Sequence, residues 1–257
     1  MAGSHGRGVD AFYVEGATPL HRIAAHIKIL AAFTFVLFVV LTPPNWFLAF
    51  ALYASVVIGL ILYLKVPWRL IKTRLLLEIP FVVFALFLPF FGLPPKVEVL
   101  GLSLSEAGLI AGWNILAKAT LGVLTTIVLS STTKPKDFLL GLEKLKVPTL
   151  LVQIASFMIR YTVVVTEELR RMSVARESRC FEARGPKSWR VLARGLGVLF
   201  IRSYERGERV HLAMLSRGFS GSMPITNTQV VKTTDWMIGL LLPISALTIL
   251  IWGWFWY

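Results

Sequence analysis

The sequence predicts an all-α polytopic membrane protein with about five transmembrane helices and a helical insert in the cytoplasm or at its interface. Composition is the first observation behind this: 56% of the 257 residues are hydrophobic and 16% charged, with mean hydropathy +0.70. That leaves too few polar side chains to coat a water-facing surface. The second is a set of continuous apolar runs, 29–41, 46–64, 109–129 and 237–257, each near or at the ~20 residues that carry a helix across a bilayer. The third is the placement of charge. A net charge of +13 in a water-soluble chain would point to nucleic acid, but here the cations gather on one side of the apolar runs, as the positive-inside rule requires.

Residues 1–22 read as an N-terminal cytoplasmic tail without the apolar core of a cleavable signal peptide, so the first span is expected to be its own insertion signal. Span one covers roughly 23–41, and Thr42-Pro43-Pro44-Asn45 is an uncharged outside turn. Span two, 46–64, leads to a loop carrying Lys65, Arg69, Lys72 and Arg74, which belongs inside. Span three runs outward through the shorter apolar run 79–93, which contains Pro80 and Pro89, and leaves 94–105 outside with Lys96 alone. Span four, 107–129, returns, so that residues 23–131 hold four spans. The last, 235–257, exits and ends in Trp252, Trp254, Trp256 and Tyr257, an aromatic interface belt. In this arrangement 25 of the 27 Lys and Arg lie inside, the exceptions being Lys96 and, within span four, Lys118. The expected location is the cell membrane, with the N-terminus cytoplasmic.

Residues 132–234 form the cytoplasmic insert. The stretch 137–145 is short and amphipathic and stops at Val147-Pro148. The stretch 150–165 is apolar enough to span, but spanning would carry the twelve Lys and Arg between Arg160 and Arg209 outside. It reads instead as the apolar start of a long helix lying against the inner face. A second amphipathic stretch, 189–206, has Val191, Leu192, Leu196, Leu199 and Phe200 on its apolar side and leads into a helix over 208–217.

This insert carries a repeat. Ala175-Arg176-Glu177-Ser178-Arg179-Cys180-Phe181 and Ala213-Met214-Leu215-Ser216-Arg217-Gly218-Phe219 share the frame Ala-x-x-Ser-Arg-x-Phe, 38 residues apart. In the second copy Gly218 is the expected left-handed helix stop, with Arg217 in the last turn. An arginine there merely complements the helix dipole in most proteins. Stopping a helix, however, needs no matching alanine four residues earlier. A small residue there clears space beside the arginine stem, as a helix tip docking into a groove requires, and the arginine can then pair bidentately with a carboxylate on a partner. In the first copy Cys180 replaces the glycine and tolerates the left-handed cap poorly, which opens the alternative that the helix runs on to Ala183-Arg184-Gly185-Pro186. Arg179 and Arg184 point roughly 140° apart on a helix, so one of them tips it; the shared frame favours Arg179.

On these residues the chain resembles the transmembrane T component of energy-coupling factor (ECF) transporters, prokaryotic importers of vitamins and metals. Their two Ala-x-x-Ala-Arg-Gly-like motifs are matched by Ala175–Cys180 and Ala213–Gly218, with Ser178 and Ser216 for the second alanine and Cys180 for the first glycine. The stretch from Arg74 through Glu78, Pro80 and Phe81 to Pro89-Phe90, with Ser-Arg-x-Phe, is most similar to the cobalt/nickel (CbiQ-like) branch. The resemblance implies a coupling subunit: two ABC-type ATPase subunits close on ATP, the helix tips ride in their grooves, and closure is transmitted to a separate substrate-binding S component in the membrane. It implies ATPase-coupling roles for Ala175, Ser178, Arg179, Ala213, Ser216, Arg217 and Gly218, with Arg184 and Gly185 as the alternative first tip. No Gly-x-x-x-x-Gly-Lys-Ser/Thr loop is present, so ATP is expected on the partners and no cofactor on this chain. A vitamin importer's T component is the nearest alternative; a self-contained secondary transporter would need inverted repeats and polar groups at mid-membrane.

Two charges lie within the spans, where ionisable groups are functional candidates. Glu78 sits about 6 Å inside Arg74 and Lys118 about 18 Å above the inner end of span four, so the two are not expected to pair. Glu78 is expected to pair at the interface with Arg74 or Lys72. Lys118 either lines a polar groove toward a partner or snorkels. His5, His21, His26 and His211 do not share metal-ligand spacing on one span, and Cys180, the only cysteine, excludes an internal disulfide. No catalytic constellation is present. A nucleic-acid binder would need aromatic platforms among its basic residues, which Trp189 alone does not make.

Overall fold

A backbone in hydrocarbon must satisfy its own N–H and C=O groups within one segment, which leaves the helix as the solution for each apolar run. The computed structural model describes residues 13, 14, 16, 18–91, 96–99, 102–181, 185, 187–221 and 232–256. Their elements, in order, are α1 Pro19–Arg22, α2 Ala25–Leu41, α3 Phe47–Tyr63, α4 Trp68–Leu75, a 3-10 turn Leu76–Glu78, α5 Ile79–Phe91, β1 Lys96–Val99, β2 Leu102–Ser105, α6 Glu106–Thr132, α7 Pro135–Lys144, α8 Thr149–Glu177, α9 Lys187–Leu215 and α10 Thr233–Trp256. The fold is all-α apart from a small antiparallel hairpin in which Lys96 faces Ser105 and Val99 faces Leu102.

Two features depart from the expected loops. The basic stretch after span two is helical: α4 continues through the 3-10 turn into α5, a 24-residue run from Trp68 to Phe91. The loop 94–105 contains the hairpin, and Ser105 at its end caps α6, its Oγ accepting from Gly108 N at 3.3 Å. Four helices are long and apolar enough to cross a membrane (Trp68–Phe91, Glu106–Thr132, Thr149–Glu177 and Thr233–Phe255), and α2 and α3 are shorter apolar helices.

Two compact units divide the chain, the larger within Asp10–Gly141 and Gln229–Tyr257, the smaller within Leu142–Thr228. In the larger, α2, α3, α6 and α10 enclose a core around Phe35, Tyr53, Val57, Ile127 and Ala246. The Tyr53 hydroxyl is satisfied inside it, 3.2 Å from Thr42 Oγ1 and donating to Ala246 O at 3.4 Å. Helices α5 and α6 approach closely where α6 presents Gly108 and Gly112: a Cβ on the first would fall 2.7 Å from Leu88 O, and on the second 2.8 Å from Ala85 O. This is the small-residue spacing by which membrane helices pack without a hydrophobic driving force.

Helices α2 and α6 run antiparallel and cap each other. Lys28, in the first turn of α2, donates to Thr132 O at the end of α6 at 2.8 Å. Lys118 of α6 donates to Val40 O in the last turn of α2 at 2.7 Å. Helix C-termini leave carbonyls without intrahelical donors and carry the negative end of the dipole, so a lysine at each satisfies both demands.

In the smaller unit α8 and α9 also run antiparallel. Gln153 Nε2 donates to Gly221 O at 3.1 Å, Arg202 bridges to Glu168 at 2.6 Å, and the Arg176 guanidinium lies over Gly195. Helix α9 is continuous across Gly207, joining the two stretches read separately from the sequence.

Candidate functional site

The two Ala-x-x-Ser-Arg-x-Phe frames fold into one hydrogen-bonded turn, made twice. In the first, Cys180 N donates to Glu177 O at 3.0 Å and Phe181 N to Arg176 O at 3.1 Å; in the second, Gly218 N donates to Leu215 O and Phe219 N to Met214 O, both at 3.0 Å. This 5→2 and 6→1 pair is the Schellman stop. Its left-handed residue is Cys180 at φ 56° in one copy and Gly218 at φ 80° in the other. Each serine returns its hydroxyl to the frame's alanine carbonyl, Ser178 to Ala175 at 3.1 Å and Ser216 to Ala213 at 3.0 Å.

The frame therefore divides by role. Serine, the left-handed residue and the half-buried phenylalanine build the stop; alanine and arginine do not. Arg179 and Arg217 immediately precede the left-handed residue and are exposed, as are Ala175 and Ala213 beside them. Neither guanidinium has a hydrogen bond or ion pair among the described residues.

Cys180 corrects one expectation. It does accept the left-handed conformation, and α8 stops there rather than running on. The strain of an L-residue in that region, roughly 1–2 kcal/mol, is offset by the two cap hydrogen bonds and the partial burial of Phe181. Arg184 lies outside the described residues; Gly185 is exposed, at φ 72°.

Because α8 and α9 are antiparallel, their C-terminal arginines project from opposite ends of the pair. Gln153 lies beside Gly221 and Arg176 beside Gly195, so Arg217 stands about 25 residues of helix from Arg179, roughly 35–40 Å at 1.5 Å per residue. Between the helices opens an apolar groove of about 500 Å³, lined by Phe157, Tyr161, Val165, Val210, Met214 and Phe219 among others. Its last two residues belong to the second stop, so that tip is built into the groove wall.

The intramembrane charges bind polar groups on neighbouring helices. Glu78 is buried and accepts from Thr120 Oγ1 at 3.1 Å, while Arg74 donates to Ser130 Oγ. The Arg74 guanidinium and the Glu78 carboxylate both reach hydroxyl groups on α6, those of Ser130 and Thr120. Glu78 Oε1 and Asn114 Oδ1 are buried without partners. Lys118 caps α2 through Val40 O. Sequence reading missed Lys28, which it counted with the cytoplasmic cations; the available signal was a lysine inside the first apolar helix. Among the described residues no three His, Cys, Asp or Glu gather as a metal site.

Comparison with known proteins gives the class, a transport membrane component rather than a catalytic enzyme. The profile of the CbiQ cobalt transport proteins matches residues 16–228, and the chain belongs to that family. It is 28% identical over 235 residues to an energy-coupling factor transporter transmembrane protein, EcfT, of Listeria innocua, covering 86% of this chain and 88% of that one. It is 25% identical over 146 residues to the cobalt transport protein CbiQ of Rhodobacter capsulatus, 57% and 59% of the two chains. An uncharacterized Methanocaldococcus jannaschii protein is 28% identical over 135 residues, and the chain spans about half of that relative's length.

Proposed function

We propose that the chain is the T component of an ATP-driven ECF importer in the cell membrane, the scaffold that couples two ABC-type ATPase subunits to a separate substrate-binding subunit. The observation that carries this is the pair of identically built stops, each presenting an exposed arginine without an internal partner, at opposite ends of one antiparallel pair. Two equivalent tips roughly 35–40 Å apart suit two equivalent grooves on an ATPase dimer. Each arginine then pairs with a carboxylate in its groove. Closure of the dimer on ATP moves the tips, and rigid helices carry that movement to the membrane unit. Cobalt or nickel is the proposed cargo, in keeping with the family; the ATP sits on the partners, and the metal on the substrate-binding subunit.

The proposed topology has five spans, α2, α3, α4–α5, α6 and α10, with the N-terminus inside. Helices α2 and α3, of 17 residues each, are at the short end of spanning length. Helix α8 has the length to span, yet crossing would place the Arg-rich α9 outside, against the charge rule.

The test is truncation of the tips. Arg179→Ala and Arg217→Ala each remove a charge-assisted interface bond, about 2–5 kcal/mol where the partner is left buried and unpaired, or at least about thirtyfold in ATPase affinity. Neither side chain takes part in the stop, so both variants insert and fold. Arg184→Ala has the smaller effect. Unchanged ATPase co-purification and metal uptake in all three variants would reduce the frame to helix capping.

A further inference from the structure

The end of α6 is held by a clasp that the coupling tips do not explain. Helix α6 ends at Thr132, and two residues later α7 begins at Pro135 and continues toward α8. The two last carbonyls of α6 have donors from the start of the chain: Ser131 O accepts from Val14 N at 3.0 Å, and Thr132 O from Lys28 Nζ at 2.8 Å. The same ammonium donates to His21 O at 3.3 Å. Lys28 is 9% exposed, and removing a donor from a buried carbonyl costs the desolvation of that group.

The segment preceding α2 is itself tied down. His21 Nε2 donates to Val14 O at 3.0 Å, and its Nδ1 is 2.6 Å from Thr18 Oγ1. The Tyr13 ring packs edge-on against His21, with centroids 5.9 Å apart. On its other side Lys134, in the connection to α7, lies 5.0 Å from the Tyr13 centroid.

Helix α7 is seated on the same spot. A Cβ on Gly141 would fall 2.9 Å from His26 N, and Asp137, in the first turn of α7, is the carboxylate whose field reaches Lys28. Ser131, Thr132 and Thr133 are all buried. One ammonium thus bonds to the exit of α6 and to the entry of α2 while α7 packs over both. The chain leaves the larger unit for α8 through this junction and rejoins it at α10 after α9.

We propose that Lys28 is the positioning residue of a transmission joint: it locks the α6–α7 junction to α2, so that displacement of α8 and α9 moves the membrane helices as a body instead of being absorbed in the connection. This rests on the coupling role proposed above. A lysine that served only stability would affect assembly, hydrolysis and transport in proportion. A joint affects their ratio. Lys28→Met removes the donor at similar length, and Lys28→Arg keeps one.

The experiment reconstitutes the full complex with its ATPase and substrate-binding partners in liposomes and measures ATP hydrolysis and Co²⁺ uptake in the same vesicles. Lys28→Met is expected to co-purify with the ATPase and hydrolyse ATP within about twofold of the native complex, while Co²⁺ taken up per ATP falls tenfold or more; Lys28→Arg recovers most of the ratio. Uptake and hydrolysis falling together, or an unchanged ratio, overturns the proposal. If Lys28→Met does not assemble, Lys134→Met decides. Exposed on the connection, it loosens only the Tyr13 contact, so a reduced ratio with assembly intact supports the joint and a native ratio refutes it. Failure of the coupling reading itself looks different: there, Arg217→Ala leaves ATPase assembly untouched.

Discussion

Exchanging the left-handed residues of the two tips tests the physics of the stops directly. Cys180 and Gly218 occupy the same position in the same hydrogen-bonded turn, at φ 56° and 80°. A Cβ at Gly218 meets no atom within 4 Å, so Gly218→Cys brings no clash and its cost is conformational alone. An L-residue in the left-handed region costs roughly 1–2 kcal/mol, and the loss of glycine's freedom in the unfolded chain returns roughly 0.4–1 kcal/mol. The net is about 1 kcal/mol against Gly218→Cys and the same in favour of Cys180→Gly, about fivefold in a local opening equilibrium. The reporters are the amides that close each stop, Phe181 N on Arg176 O and Phe219 N on Met214 O. Hydrogen–deuterium exchange of Phe181 is expected to slow about fivefold in Cys180→Gly, and that of Phe219 to quicken about fivefold in Gly218→Cys, by the same conversion. Faster Phe181 exchange in Cys180→Gly would mean that α8 does not stop at Cys180, and the equivalence of the tips would fall with it.

Three further outcomes are expected. Gly112→Val drives a side chain into Ala85 O and separates α5 from α6, costing about 1–3 kcal/mol and lowering the thermal unfolding midpoint in detergent; Gly122→Ala, with nothing within 4 Å of the new Cβ, leaves the midpoint unchanged or higher. Burial holds the His21 imidazole below its ordinary value, with the nearby Lys28 charge adding to this and the Val14 hydrogen bond opposing it. The native state therefore binds fewer protons than the unfolded one just below pH ~6.5, and the clasp, which also faces Tyr13 and Lys134, loosens as pH falls through that range; faster exchange of the Val14 amide at pH 5.5 than at 7.5, after correction for intrinsic rates, checks the sign, and slower exchange refutes it. For the topology, an impermeant maleimide should leave the exposed Cys180 thiol unlabelled in intact cells and label it after permeabilisation, whereas Ser103→Cys in a Cys180→Ser background is labelled from outside; the reverse pattern would invert the chain.

That this is a helical membrane protein of its family was legible in the chain alone. Apolar runs near 20 residues have one way to satisfy their backbones in lipid, and that choice is local, so 23–41, 46–64, 107–129 and 235–257 each became a helix with ends displaced by a few residues. The repeated frame was legible for the same reason: a helix stop is made from five or six consecutive residues. Where local terms nearly cancel, sequence reading left the outcome open. Cys180 offered about 1–2 kcal/mol of strain against a cap of similar worth, and only the completed turn, with Phe181 folded back, resolved it. The partners of the charges within the helices were beyond its reach altogether. Lys28, Glu78 and Lys118 are separated by 104, 42 and 78 residues from the groups they bind, and no pattern along one helix reports which neighbour will bring an orphan carbonyl or a hydroxyl alongside. That was decided by the antiparallel docking of α2 and α6 and by the glycines that let α5 approach. A long side chain in a low-dielectric interior takes whichever partner packing delivers, because the alternative is an unsatisfied buried charge.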